Sequence, residues 1–291
     1  MEESPIKPDE LKALIQLLDD NDKEIFRQIE ERLLSIGRDA IPELENAWST
    51  SFDAVLQQRI EQIVHKIQLE SLKEDLKLWL YTQQDNLLQG VIIAARYQYP
   101  DLDEQRIYEI LNKLKRDIWL ELNEQMTALE QVNVINHVLF TRHGFSGNTT
   151  NYHAPQNSFI NNVLETKKGN PLSLGIIYML LCHQLGLNVH GVNLPEHFVL
   201  AYLDTEPEYN TPHKRVLFYI NAFSKGTVFG KNDIDDFIKK LGLSVRDEYY
   251  YPCSNPDMIM RMFRNLALSF QKLGDIEKVE EINSIIRLFG V

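Results

Sequence analysis

The sequence predicts a predominantly helical α+β fold, and three observations carry this prediction. In the first eighty residues, apolar side chains recur at helical spacing, as in Ile25, Ile29, Leu33 and Ile36. Strand-like sequence is confined to short segments between residues 189 and 220. After those segments, apolar residues return to helical spacing up to residue 288.

Residues 1–82 form the predicted N-terminal helical region. Asp22 and Ser51 are candidate N-caps, and Gly37 is a candidate helix stop. Residues 17–48 contain a turn, a charged helix, a glycine and a helix that starts at proline, which is typical of one HEAT-type helix pair. A non-repeating helical bundle explains the same pattern, and both alternatives stay open. A second apolar stripe comprises Phe52, Leu56, Ile60, Ile63 and Ile67.

Residues 83–250 form the predicted core, in which a small antiparallel sheet packs on a central helix. The central helix is expected at residues 172–185, and strands are expected at 189–192, 197–203 and 216–220, with a hairpin loop at 204–213. Because three short strands are not stable alone, the sheet must pack on that helix. A polar loop at residues 144–157 is expected on a surface or along a cleft. The other predicted helices cover residues 76–80, 87–97, 106–122 and 129–140.

Residues 251–291 are predicted to hold a TPR-like helix pair. Helices are expected at 258–273 and 276–288, joined by Gly274 and Asp275, after a helix at 234–241. The aromatic run from Tyr249 to Tyr251 is either an exposed docking patch or a brace between elements, and the brace is favoured.

Composition argues against several classes of protein. A formal net charge of −12 is unlike that of a protein that coats nucleic acid. The two cysteines, Cys182 and Cys253, exclude a disulfide framework and a cysteine-rich zinc site. The histidines lack metal-ligand spacing, and Lys225-Gly226-Thr227 is no P-loop, so neither metal nor cofactor is expected.

The sequence is that expected of a soluble cytoplasmic protein. The first residues, MEESPIKPDELK, are acidic and polar and do not resemble a secretory signal. The apolar run from Val91 to Ala95 is far too short to cross a bilayer. We expect a protein partner and neither nucleic acid nor membrane; the oligomeric state stays open.

From about Asp85 onward the chain resembles the bacterial SirB-type family, which has a transglutaminase-like core. The matching blocks are IIAARYQYPDLD, GFSGNTTNY, NSFINNVLETKKGNPLSL, LGLNVHGVNLPEHF and MIMRMFRNL. The same module is found beside F-box segments in some eukaryotic ubiquitin-ligase adaptors. The resemblance implies a core whose enzymatic relatives use Cys, His and Asp, or Asn in papain-like enzymes.

Mapped onto this chain, the resemblance places the nucleophile at or next to Pro171, the histidine at His197 and the orienting acid at Asn221. Pro171 provides no nucleophile, and with Asn170 as the cap it suits a first helical turn. Ser173 is the nearest hydroxyl, but serine in a first turn usually satisfies a backbone donor. Cys182 lies well inside the helix and is expected to be an inert buried thiol.

The histidine and its neighbours keep two interpretations open. His197 is either a hydrogen-bonded structural residue or a ligand contact. Glu196 stands where the family usually has glycine, and its carboxylate can pair with His197, shield the pocket or be solvated. Asn221 can orient an imidazole but supplies no negative charge. Asn170, Pro171, Glu196 and Phe198 are expected to line the cleft.

The sequence favours a non-catalytic interaction or regulatory protein that keeps the cleft as a binding groove. An active hydrolase or acyl-transferase that uses Ser173, His197 and Asn221 is the first alternative. A small-ligand sensor is the second.

Overall fold

Helices build the N-terminal unit, Met1–Leu78, of the computed structural model, which describes residues 8–20, 22–204 and 216–290. Their apolar stripes meet in a common core that includes Leu18, Leu33 and Ile63. Burial of these stripes stabilises each helix more than its own propensity does. Whether α2 and α3 form a HEAT repeat stays a prediction. The helices are α1 (Pro8–Gln16), α2 (Lys23–Ile36), α3 (Ile41–Thr50) and the first part of α4 (Ala54–Thr82).

Local capping chemistry fixes the ends of α2 and α4. The Asp22 side chain accepts from the N–H groups of Glu24 and Ile25, and Gly37 ends α2 with φ of 70°, so both predictions are confirmed. The prediction of Ser51 as a cap was wrong. The Asp53 side chain caps α4 instead, because it accepts from the N–H groups of Val55 and Leu56. Serine and aspartate can both cap a helix, but only Asp53 directly precedes the first helical residue, Ala54.

The second unit, Trp79–Val291, opens with helices that match the predicted ones, except for the helix at Ile160–Thr166, which was not predicted. The helix predicted at 129–140 is regular only to Asn136 and continues as a π-helix over His137–Arg142. The helices are α5 (Leu87–Arg96), α6 (Glu104–Trp119), α7 (Ala128–Asn136), α8 (Ile160–Thr166) and α9 (Pro171–Gln184).

A four-stranded antiparallel sheet follows α9, in the order β3-β4-β5-β6. Sequence pattern predicts the first three of these strands but misses β6, because three residues are too few to show alternation. The predicted hairpin loop at 204–213 lies outside the described residues except for Asp204. Two further short strands, β1 (Ser146–Gly147) and β2 (Lys168–Gly169), pair in parallel. The sheet strands are β3 (Val189–Leu194), β4 (His197–Leu203), β5 (Val216–Asn221) and β6 (Thr227–Phe229).

The central helix α9 is buried on every side from Pro171 to Cys182. It packs on β3 and β4, as predicted. Close approach is possible because glycines face the Phe198 ring: a Cβ would lie 2.7 Å from that ring at Gly175 and 2.5 Å at Gly191. Apolar as it is, α9 is too short to cross a membrane, and elsewhere in the described ranges no helix is long and apolar enough to do so.

Three helices complete the second unit: α10 (Lys231–Lys240), α11 (Asn255–Leu273) and α12 (Ile276–Ile286). Gly274, with φ of 78°, and the Asp275 cap form the predicted joint between α11 and α12. Helix α11 packs on both α12 and α5, so the helix pair belongs to the same unit as the sheet. Its identity as a TPR pair stays a prediction.

The tyrosine run ahead of α11 acts as a brace. Tyr250 is buried, its hydroxyl donates to Asp235, and its carbonyl accepts from the Tyr219 hydroxyl at 3.0 Å. Tyr249 and Tyr251 pack around the same cluster. The run therefore joins α10 to the sheet and is not an exposed patch.

Candidate functional site

The first turn of α9 is closed by a reciprocal capping box. The side-chain oxygen of Asn170 accepts from the Ser173 N–H at 2.9 Å, and the Ser173 hydroxyl accepts from the Asn170 N–H at 3.0 Å. Pro171 occupies the first helical position, where its missing N–H costs nothing. The resemblance predicts the nucleophile at or next to Pro171, and the side chain at that position is a pyrrolidine ring without a nucleophilic atom.

The Ser173 hydroxyl is committed to the backbone. It donates to the carbonyl of Asn157 at 2.6 Å, and the residue is only 4% exposed. The backbone of Gly169 also lies close to this hydroxyl, because a Cβ added at Gly169 would lie 2.6 Å from the Ser173 Oγ. A nucleophilic serine must direct its proton towards a base. Ser173 directs it towards a carbonyl 16 residues earlier in the chain.

His197 begins β4 beside a cavity of about 390 Å³. Burial lowers the pKa of the ring because it disfavours the charged form, and the nearby Arg261 guanidinium lowers it further. A hydrogen bond with the Asn221 side chain acts in the opposite direction. The ring also lies edge-on to Phe223, with centroids 6.5 Å apart. His197 is therefore a mainly neutral imidazole in a partly apolar wall.

Asn221 stands at the end of β5 and has two roles. Besides the hydrogen bond to His197, its side-chain oxygen accepts from the Ser224 N–H at 3.1 Å and so caps a short 3-10 turn. This turn fixes the amide in place next to the imidazole. An amide that hydrogen-bonds an imidazole can orient it, which is the role that the resemblance predicts for Asn221.

The cavity gathers residues from four separate parts of the chain. The predicted cleft residues Asn170, Pro171, Glu196 and Phe198 all line it, together with His197. Ser173 and Asn221 do not line it. The loop predicted to follow a surface or cleft contributes Tyr152, His153 and Ala154. The remaining wall is formed by Leu172 and by Arg261, Asn265, Leu268 and Ser269 of α11.

Arg261 is the functional candidate that sequence reasoning missed. Its Nη1 donates to the carbonyl of Leu194 at 2.8 Å and to the Asn193 Oδ1 at 3.2 Å. Burial lowers the pKa of this guanidinium. The available signal was the spacing i, i+4 and i+8 of three polar residues on α11, namely Arg261, Asn265 and Ser269, which places them on one face of the helix.

Glu196 holds an unusual backbone conformation for its residue type. With Pro195 it forms the two-residue connection between β3 and β4, and its φ is 57°. Glycine adopts positive φ without steric cost, whereas residues that have a Cβ pay a cost for it. The side chain is exposed, and among the described residues no carboxylate, Glu196 included, forms an ion pair with His197. Of the three roles open to Glu196, the observed one is an exposed carboxylate in the cavity wall.

The other titratable candidates have structural surroundings. Cys182 is fully buried and burial raises the pKa of its thiol far above the ordinary value, as predicted for an inert residue. Cys253 donates to the Gly191 carbonyl at 3.3 Å. His213 is outside the described residues, and within the described ranges no three His, Cys, Asp or Glu side chains are grouped to hold a metal. Partnered histidines include His143 with Asp117, His153 with Lys272, His183 with Val189 and His190 with Asn188.

The geometry can be compared with known proteins. A family described as "Transglutaminase-like superfamily" matches residues 105–264. A UPF0162 protein of Xylella fastidiosa is 27% identical over 202 residues, which is 66% of this chain and 69% of that protein. Protein SirB1 of Salmonella typhimurium is 23% identical over 207 residues, covering 70% and 74% of the two chains.

The match to a eukaryotic relative covers more of this chain but a smaller share of the relative. F-box only protein 21 of Mus musculus is 25% identical over 254 residues, which is 78% of this chain and 39% of that protein. No solved structure is significantly similar to this chain. The family match spans α6 to α11 and includes His197, Asn221 and Arg261, so the resemblance predicted from sequence is confirmed. The chain therefore belongs to the transglutaminase-like superfamily and carries the transglutaminase-like core of the SirB-type family.

Proposed function

We propose that this chain is a non-catalytic interaction module that holds a segment of a partner protein in the cavity beside His197. One observation carries the proposal. The position of the nucleophile is taken by Pro171, and the nearest hydroxyl, that of Ser173, is buried and donates to the Asn157 carbonyl. The imidazole beside them has an orienting amide and no group to deprotonate.

The cavity supports binding for a second reason. Its rim carries exposed apolar side chains, with Tyr152 40% exposed and Leu268 47% exposed. Apolar surface at the mouth of a cavity gains free energy when a bound chain covers it. A volume of about 390 Å³ also lies within the range of small-ligand pockets, which favours a ligand sensor as the second candidate.

The test of the catalytic alternative uses covalent probes on folded protein. A chloroacetamide probe and a fluorophosphonate probe are applied to the wild type and to Ser173→Ala and His197→Ala. The proposal expects no labelling of the wild type beyond that of urea-unfolded protein. Labelling that needs the fold and disappears in either variant would instead establish an enzyme with Ser173 and His197 at its centre.

The test of binding uses the cavity itself. Leu172→Trp fills the cavity from the α9 side, and Leu268→Ser removes apolar surface from the rim. Both should reduce capture of a partner from cells that express the chain, whereas Leu273→Ser, at an exposed position of α11 outside the cavity, should not. Equal capture by all three variants would place the binding surface elsewhere.

A further inference from the structure

The side chain of Arg261 has donors that the protein does not use. A guanidinium has five N–H groups, and both contacts of this one come from Nη1, to Leu194 and Asn193. In the described part of the chain, its Nε and Nη2 have no acceptor and no carboxylate forms an ion pair with it. The guanidinium is half-buried, so the acceptors for these N–H groups must come from whatever occupies the cavity.

Asn265 lies one turn further along α11 and faces the same cavity. The spacing of four residues places the two side chains next to each other on one helix face. The Asn265 carbonyl accepts from Ser269, but within the described ranges its side-chain amide has no partner. Arg261 and Asn265 thus present to the cavity a row of N–H donors for which the described residues supply no acceptor.

We propose that this cavity receives the C-terminal carboxylate of the partner chain, bound by the Nε and Nη2 edge of Arg261 and by the Asn265 amide. The inference rests on the proposed function and names the chemistry of its ligand. The planar guanidinium edge matches a carboxylate with two parallel hydrogen bonds. A chain end brings its carboxylate and one side chain together, which suits a cavity of about 390 Å³.

The charges around the cavity favour a singly charged group over a phosphate. Arg261 contributes one positive charge, His197 is mainly neutral, and the exposed Glu196 contributes one negative charge at the wall. A bound carboxylate neutralises Arg261, and the exposed carboxylate of Glu196 stays in water. A dianionic phosphate would leave excess negative charge beside Glu196, which is unfavourable. Apolar contacts for the terminal side chain come from Leu172, Phe198 and Leu268.

The experiment compares three small probes on the full chain by NMR titration. N-acetylphenylalanine carries a terminal carboxylate, and N-acetylphenylalaninamide is its neutral analogue. N-acetylphenylalanyl-isoglutamine carries its carboxylate on a side chain only. We expect the first to bind at least about tenfold more tightly than the other two, because hydrogen bonds to charged groups are the stronger ones.

Three variants connect the preference to the proposed residues. Arg261→Gln should abolish the difference between acid and amide, whereas Arg264→Gln, at an exposed position outside the cavity, should preserve it. Glu196→Gln should tighten binding of the acid by up to about fivefold and leave the amide unchanged, since it removes a nearby negative charge.

Equal affinity of acid and amide for the wild type, or no binding of either, would overturn the inference. Equal affinity of the side-chain acid would refute the assignment to a chain end. Because the preference is measured on wild-type protein, a variant that fails to fold does not obscure the result. The covalent probes test the proposed function separately, so either idea can fail alone.

Discussion

Replacing Ser173 with alanine is expected to weaken the fold without changing what the cavity binds. The hydroxyl accepts from the Asn170 N–H at 3.0 Å and donates to the Asn157 carbonyl at 2.6 Å. After the substitution, those two backbone groups retain only their mutual contact at 3.4 Å. Both lie in a buried region, so neither can turn to water.

The magnitude follows from the two lost hydrogen bonds. Each contributes about 1 kcal/mol net, and a buried group left unsatisfied costs about 1–3 kcal/mol. The higher helix propensity of alanine returns about 0.5 kcal/mol. We therefore expect the free energy of unfolding of the second unit to fall by about 1–3 kcal/mol.

The assay is urea unfolding followed by tryptophan fluorescence in a Trp48→Phe background. The remaining tryptophans, Trp79 and Trp119, then report on the unit that contains Ser173. Ser269→Ala is the matched control. The Ser269 hydroxyl is also buried, but it donates to the Asn265 carbonyl within the same helix, so the free energy of unfolding should fall by about 0.5 kcal/mol or less. A gain in stability for Ser173→Ala would refute the reasoning, since residues kept for catalysis often cost stability.

Three further predictions concern single groups. The pKa of the His197 ring should lie below 6.5 when it is measured by NMR. The stability that the neutral ring contributes is fully present above pH 6.5 and is lost as the pH falls through the pKa of the folded state. His197→Gln should remove this dependence of the free energy of unfolding on pH. Iodoacetamide at pH 8 should label neither Cys182 nor Cys253 until urea is added, because burial raises the pKa of the Cys182 thiol far above its ordinary value and that of Cys253 to about 12. Fast labelling of the folded protein would contradict this prediction. Glu196→Gly should raise the free energy of unfolding by up to about 1 kcal/mol, because glycine relieves the positive φ; a loss measured by urea unfolding would show that the Glu196 side chain stabilises the turn.

Sequence reasoning located most elements because each of them carries a local signal. Apolar periodicity identifies α2, and Asn170 followed by Pro171 marks the start of α9. The signal fails where two candidates compete within a few residues, as at Ser51 and Asp53. It also fails where an element is too short for a period, as at β6.

The site was harder to predict because its parts meet only in the folded chain. Asn157 lies 16 residues from Ser173, so no spacing rule reveals the hydrogen bond that occupies the hydroxyl. Arg261 contacts the end of β3, 67 residues earlier, and an arginine in a helix is ordinarily an exposed residue. The family resemblance identified His197 and Asn221, but it did not identify Arg261, the cation that lines the same cavity as His197.

The burial of α9 on every side determines which parts of the cavity wall can adjust to a ligand. A helix enclosed from Pro171 to Cys182 cannot shift without displacing sheet and neighbouring helices together. Accommodation therefore falls to the side chains of Tyr152 and His153 on the facing loop, both of which are exposed. Under the proposed function, substitutions of these loop residues should change which ligands the cavity selects, whereas α9 forms a wall that stays in place.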